Sequence, residues 1–193
     1  MNIILASGSP RRRELLEQAG YTFTVEVSDA DESLGQMMPG AMVEELSLRK
    51  AQAVAGLHDK EGESYKIIGS DTVVVLDDKI LGKPSDEEDA MRMLRSLSGR
   101  SHEVYTGVTV LTLADGRVTK TEQFHEVTKV VMRALSDQEI LDYIAGGEPM
   151  DKAGAYGIQG RAAVFISGID GDYYNVVGLP ICHLSTVLDE KLS

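Results

Sequence analysis

The sequence predicts a mixed α/β fold, on three observations. Strand-like apolar runs alternate with helical patterns from the first residues onward, beginning with a run at 2–6 and a helical segment at 10–19. Two polar turns, Asp77-Asp78-Lys79 and Ala114-Asp-Gly-Arg117, join strand-like runs as hairpins, so the sheet is mixed rather than doubly wound and parallel. The 193 residues suffice for a substantial core and contain no internal repeat, low-complexity tract or clear linker, so 1–193 reads as a single domain.

The elements follow in order. Strand 2–6 runs through Ser7-Gly-Ser9 into a helix at 10–19, with Ser9 as N-cap, Pro10 at the first helical position and Gly20 at the C-terminal stop. A strand at about 21–27 and a loop at 29–40, rich in Asp, Glu, Ser, Gly and Pro, lead to a helix at 41–57. Its apolar stripe is Val43, Leu46, Val54 and Leu57. A polar linker at 58–65 precedes a strand at 66–76, interrupted by Gly69 and Ser70, which turns into Ile80-Leu81. Ser85 with Glu88 reads as a capping box for a helix ending near Ser98-Gly99. Residues 103–113 and 118–132 form a long antiparallel pair, and Ser136 with Glu139 is a second capping box, for a helix ending at Gly146-Gly147. A glycine-rich segment, a strand at 162–166 and another Gly/Asp loop come next. The final helix starts near Pro180, with Ile181, Leu184, Leu188 and Leu192 at helical spacing.

Composition excludes several classes. With 42% hydrophobic and 26% charged residues the chain is an ordinary globular protein. No apolar run approaches the roughly 18 residues of a membrane span, and residues 1–6 are too short for the apolar part of a signal peptide. The single cysteine, Cys182, excludes an internal disulfide and a multi-cysteine zinc site; it lies in the apolar stretch 179–184 and reads as a buried thiol. A cytoplasmic address is expected. A net charge of −12 argues against broad nucleic-acid binding, and an enzyme acting on anions with this charge needs a locally positive site helped by a divalent cation. Arg11, Arg12, Arg13, Lys50, Lys83 and Lys152 lie in segments that look site-like on other grounds.

Arg11, Arg12 and Arg13 share the first turn of the 10–19 helix, where cations oppose the helix dipole. Helix stability therefore does not explain them, whereas an anion of high charge density such as a phosphate chain does. Lys50 falls near the middle of an apolar stripe, where it either snorkels to the core edge or points its ammonium into a polar cavity. Asp71 sits among apolar and small neighbours in a strand, either capping a strand end or serving as a carboxylate that binds a divalent cation or activates water. Gly82-Lys83-Pro84 presents Lys83 on a fixed turn. In the glycine-rich segment at 148–160, Gln159 is able to donate and accept hydrogen bonds at a base edge. His102 and His125 stand on predicted strands without metal-ligand spacing. The chain lacks both the Gly-x-x-x-x-Gly-Lys-Ser/Thr phosphate loop and the Gly-x-Gly-x-x-Gly fingerprint.

Six blocks taken together resemble the Maf family: Ser7-Gly-Ser-Pro-Arg-Arg12, Gly69-Ser-Asp-Thr-Val-Val74, Gly82-Lys-Pro84, Gly99-Arg-Ser-His-Glu-Val104 with Thr106-Gly107, Asp151-Lys-Ala-Gly-Ala-Tyr-Gly-Ile-Gln-Gly160, and Asn175-Val-Val-Gly-Leu-Pro180. They lie in family order and span nearly the whole chain. The resemblance implies an elongated mixed α/β fold like that of inosine triphosphatases, with a central cleft between two lobes. It implies a nucleoside triphosphate pyrophosphatase and a homodimer; the cation called for by the net charge is expected to be magnesium or manganese, and charge and the lack of a long apolar run argue against nucleic-acid and membrane partners. Arg11, Thr72 and Gln159 match the branch that prefers dTTP and UTP, and modified pyrimidine nucleotides suit the same pocket. The family's catalytic base falls on Asp71, and Glu32, Lys50 and Lys83 match its polar site residues. On this reading Ser9, Arg12, Lys50 and Lys83 hold the triphosphate, and Glu32 or Asp71 contributes to the metal. The alternative is a nucleotide-sensing regulatory protein of cell division that binds without turnover.

Overall fold

A computed structural model describes residues 1–27, 29–58 and 62–189. The elements are β1 (Asn2–Leu5), α1 (Pro10–Gln18), β2 (Phe23–Val25), α2 (Pro39–Ala55), β3 (Ser64–Leu76), β4 (Lys79–Leu81), α3 (Glu87–Leu97), β5 (Ser101–Ala114), β6 (Arg117–Met132), α4 (Asp137–Ile144), β7 (Ile166–Asp170), α5 (Tyr173–Val177) and α6 (Ile181–Leu188). Three short 3-10 turns, Glu148–Asp151, Ala153–Ala155 and Arg161–Phe165, lie between α4 and β7.

The strands form a seven-stranded sheet in the order β2-β1-β3-β5-β6-β7, with β4 paired to β3. It is mixed, as the hairpins require. β1 runs parallel to both β2 and β3, pairing Ile4 with Thr24 and with Ile67. β4 folds back antiparallel on β3, and β7 antiparallel on β6 with an irregularity at Val131/Met132. Asp77 and Asp78 both take positive φ (50° and 59°), as a two-residue hairpin between right-twisted strands demands; Asp115 and Gly116 do the same between β5 and β6.

The chain divides into two compact units. The first holds Met1–Asp71, Thr106–Glu126 and Gly178–Ser193, and the second Thr72–Tyr105 and Val127–Val177. In the first, Ile4, Ala6, Ala51, Val54, Ile67, Leu111 and Leu113 form a buried cluster between α2 and the strands. Lys66 of β3 donates to the carbonyls of Val187 and Leu188, satisfying the open C-terminal end of α6. In the second, α3 packs on α4 and on the turn Ala153–Ala155. The Ser136–Glu139 capping box is present on α4.

Several expectations are corrected. The cap of α3 is shifted by one residue: the Asp86 carboxylate accepts from the Asp89 N–H in the place expected of Ser85, while Ser85 donates its own N–H to the Asp89 carboxylate. The strand expected at 162–166 is a 3-10 turn, and β7 begins at Ile166. The Gly/Asp loop before Pro180 contains the short helix α5. α2 starts at Pro39, which suits a first helical position, and ends at Ala55, so Leu57 lies beyond it and is exposed. Cys182 is exposed on α6, because the buried stripe there is Leu184 and Leu188. Leu192 lies outside the described residues. Among those described, no helix is long and apolar enough to cross a membrane.

Candidate active site

Two glycines seat α2 on the sheet. A Cβ on Gly69 of β3 would lie 2.0 Å from the Ser47 carbonyl oxygen, and one on Gly107 of β5 would lie 2.3 Å from that of Val43. Only hydrogen side chains allow so close a contact between helix and strand backbones. Ser47 completes the seam by sharing a buried hydrogen bond with Thr109 (2.7 Å). Side chains alternate along a strand, so Asp71 shares the face of Gly69, the face that α2 covers. Lys50, one residue before Ala51 at the contact, is thereby brought to Asp71.

The Lys50 ammonium donates to Asp71 Oδ1 at 2.5 Å and meets Glu32 Oε1 at 2.9 Å. Lys50 thus ends its reach between two carboxylates. The two carboxylates differ in setting: the Asp71 side chain is 14% exposed and that of Glu32 62%. Glu32 is presented by its loop. Asp31 accepts from the Ser33 N–H in a local turn, and Arg49 of α2 reaches across to the carbonyls of Asp31 and Ser33 at 3.1 and 3.2 Å. Arg49→Ala is expected to leave the melting temperature nearly unchanged while weakening the binding of added magnesium or manganese about 10-fold, by analogy with outer-shell partners of metal ligands. A metal titration of the variant checks this, and an unchanged midpoint would remove Arg49 from the account.

Ser9 occupies the N-cap of α1 without a side-chain cap bond; its N–H donates to Ser7 Oγ instead. Arg12 donates through Nε to the Gly178 carbonyl (2.8 Å) and through a terminal nitrogen to Ser7 Oγ (3.1 Å). The buried Ser70 hydroxyl, on the face of β3 opposite Asp71, donates to the same carbonyl at 3.2 Å. Gly178 holds φ 120°, open to glycine and rare for other residues. Burial lowers the Arg12 pKa, against the raising effect of Asp71; Arg11 lowers it further and Glu32 opposes. Asp71 and Glu32 thus lie within electrostatic reach of the Arg12 guanidinium. Sequence reasoning misses Arg49, and it meets Ser70 and Gly178 only as members of family-like blocks, because the partners that give them these contacts are distant in the chain.

The donor chemistry here fits a hard divalent cation. Glu32 and Asp71 offer oxygen ligands that converge on one cation position, marked by the Lys50 ammonium. Among the described residues no group of three or more His, Cys, Asp or Glu is arranged to hold a metal. Substrate oxygens and water would therefore have to complete the coordination.

Thr72, Lys83 and Gln159 fall in the second unit. Thr72 is half-buried, and Lys83 and Gln159 are exposed. The Lys83 turn and the glycine-rich segment are joined there, the Gly154 N–H donating to the Gly82 carbonyl at 3.0 Å. That segment is more of a core element than its glycines suggest: Ala155, Tyr156 and Ile158 are buried. The Gly157 N–H donates to the Tyr143 hydroxyl, which donates to Glu148, and Glu148 also accepts from the Arg161 N–H. Lys152 is held locally by Asp151 and the Glu148 carbonyl.

His102 is 3% exposed, and burial pulls its pKa from 6.5 down to about 4. The unfolded chain therefore takes up a proton at higher pH than the folded one. Stability is whole above pH 6.5, declines as pH falls from there towards 4, and levels off below. The loss is expected to be about 3 kcal/mol, read as a difference in urea-unfolding stability between pH 7 and pH 4 that His102→Leu removes.

Comparison with known proteins bears on this chain over nearly its full length. A family model described as Maf-like protein matches residues 2–191. A dTTP/UTP pyrophosphatase of Pelotomaculum thermopropionicum is 51% identical over 187 residues, covering 96% of this chain and 94% of that protein. One of Lachnoclostridium phytofermentans is 50% identical over 182 residues, covering 94% and 91%. The solved Ham1 protein of Staphylococcus aureus overlaps 68% of this chain and 72% of its own at 13% identity and a TM-score of 0.44, an overlap too slight to carry an argument.

Proposed function

Because the chain belongs to the Maf family, we propose that it is a nucleoside triphosphate pyrophosphatase that hydrolyses dTTP and UTP to the monophosphate and pyrophosphate. The observation that carries this reading is the convergence of Asp71, Glu32 and Lys50 on the side of β3 covered by α2, within electrostatic reach of Arg12. The names of relatives about half identical over most of the chain support it.

In the proposed mechanism Lys50 fixes the Asp71 carboxylate through Oδ1, and the second carboxylate oxygen takes the proton of an attacking water. Arg12, set in place by Ser7 and the Gly178 carbonyl, bears on the triphosphate charge together with Lys50, Lys83 and the α1 terminus at Ser9. Glu32 and Asp71 would hold a magnesium or manganese ion, which when bound would supply Lewis-acid neutralisation of the charge on the phosphate oxygens. Arg11, Thr72 and Gln159 are proposed to read the pyrimidine. Pyrophosphate release across dTTP, UTP, CTP, ATP, GTP and 7-methyl-GTP tests the reading. It predicts rapid release from dTTP and UTP. Release confined to 7-methyl-GTP would refute the specificity, and binding without release from any would refute the activity.

A further inference from the structure

The block Gly99-Arg-Ser-His-Glu-Val104 has no part in the mechanism above, yet it contains a costly side chain. His102 stands on β5 at an inward position, on the same face as buried Val104 and Thr106. Its Nε2 shares a 2.7 Å hydrogen bond with the Tyr156 hydroxyl, and the rings meet edge to face with centroids 5.4 Å apart. Its other ring nitrogen, Nδ1, is buried without a partner among the described residues. An unpartnered buried nitrogen costs free energy that an apolar residue here would avoid. The position therefore keeps a penalty in exchange for the bond to Tyr156.

Tyr156 is 5% exposed and lies three residues before Gln159. Gly157, next in the chain, is tied to Tyr143, and the Gly160 N–H donates back to the Gly157 carbonyl. Gln159 thus stands exposed on a turn whose buried approach is pinned at Tyr156 and Gly157. Burial keeps His102 neutral over the working range, so the bond to Tyr156 stays the same across neutral pH. Such an anchor governs where the Gln159 amide can be, which matters to a group that discriminates bases by hydrogen-bond geometry.

We infer that His102 is a positioning residue for base selection, acting through its hydrogen bond to Tyr156 to fix the turn that carries Gln159. The inference rests on the pyrophosphatase reading and on Gln159 contacting the base. It sets His102 apart from residues that merely fill the core, whose loss lowers stability without touching selectivity.

The test is steady-state pyrophosphate release from dTTP and CTP by the wild type, His102→Leu, His102→Gln, Tyr156→Phe, the double variant His102→Leu/Tyr156→Phe and Gln159→Ala, each with its melting temperature. Loss of one neutral hydrogen bond is expected to raise KM for dTTP and to lower the preference for dTTP over CTP by about 3- to 10-fold, with kcat little changed. Tyr156→Phe, which removes a single oxygen, should match His102→Leu. The double variant should be no worse than either, and His102→Gln should recover part of the preference. A wild type that releases no pyrophosphate from dTTP or UTP overturns the pyrophosphatase reading, and this inference with it. If the wild type turns over and Gln159→Ala loses the preference while folded His102→Leu and Tyr156→Phe keep it, only the positioning role falls. A preference retained by Gln159→Ala overturns the inference as well, as does a fall in kcat alone with KM and preference unchanged.

Discussion

Asp71→Asn is expected to lower kcat for dTTP by about 10²- to 10⁴-fold, the range of a lost general base, while nucleotide binding stays within a few-fold of wild type. Asparagine keeps an oxygen able to accept from Lys50 at the position of Oδ1, so the 2.5 Å contact that locates this side chain has a near equivalent. What it removes is the ability to take a proton from water, together with the charge by which this carboxylate would help hold a metal. Glu32 is a poor substitute, being far more exposed and delivered by a loop rather than by the strand that lies against α2. Pyrophosphate release gives kcat, and calorimetric titration with dTTP gives the affinity. Normal turnover by the variant would transfer the base role elsewhere, and lost affinity with unchanged kcat would make Asp71 a binding residue only.

Gly69→Ala should be the most damaging small substitution in the first unit. Its Cβ would sit 2.0 Å from the Ser47 carbonyl oxygen and 2.9 Å from the Ala51 backbone nitrogen, atoms that move only if the helix moves. Overpacking of this kind costs about 3 kcal/mol at the upper end of its usual range. The consequence for activity follows from the same geometry. α2 carries Lys50, so a shift of the helix away from β3 draws the ammonium off Asp71, and misplacement by about 1 Å is worth about 100-fold in rate. The variant should therefore melt early, and kcat/KM should fall below the temperature at which it unfolds. Urea unfolding and activity at low temperature separate the two effects. A variant with wild-type stability would mean that the close contact relaxes without cost.

Sequence and structure agree most where one residue type has a local physical meaning. Proline before an apolar periodic run starts α1, paired turn residues make the hairpins, and Ser136 with Glu139 caps α4. Lys50 and Asp71 are conspicuous because a charge within an apolar pattern needs a partner, and each partners the other. The disagreements come from a local competitor in one case and from packing or distant contacts in the others. The Ser85–Glu88 box matches the capping pattern, but Asp86 competes for the same turn one residue later. Arg12 reads as a phosphate ligand, yet part of its guanidinium is spent on a carbonyl 166 residues away. Its strut role cannot be read from local sequence. The glycine-rich segment reads as open loop because glycines carry no packing signal, while the residues between them enter the core. His102 is legible only as part of a family-like block with no role attached; its meaning lies in Tyr156, 54 positions on.

The most direct test of the central claim is phosphorus NMR of dTTP incubated with the wild-type protein and magnesium, alongside Asp71→Asn. The account predicts dTMP and pyrophosphate in equal amounts from the wild type, and dTTP left nearly intact by the variant over the same time. Products of dTDP and inorganic phosphate, or wild-type protein that binds dTTP and leaves it whole, would contradict it.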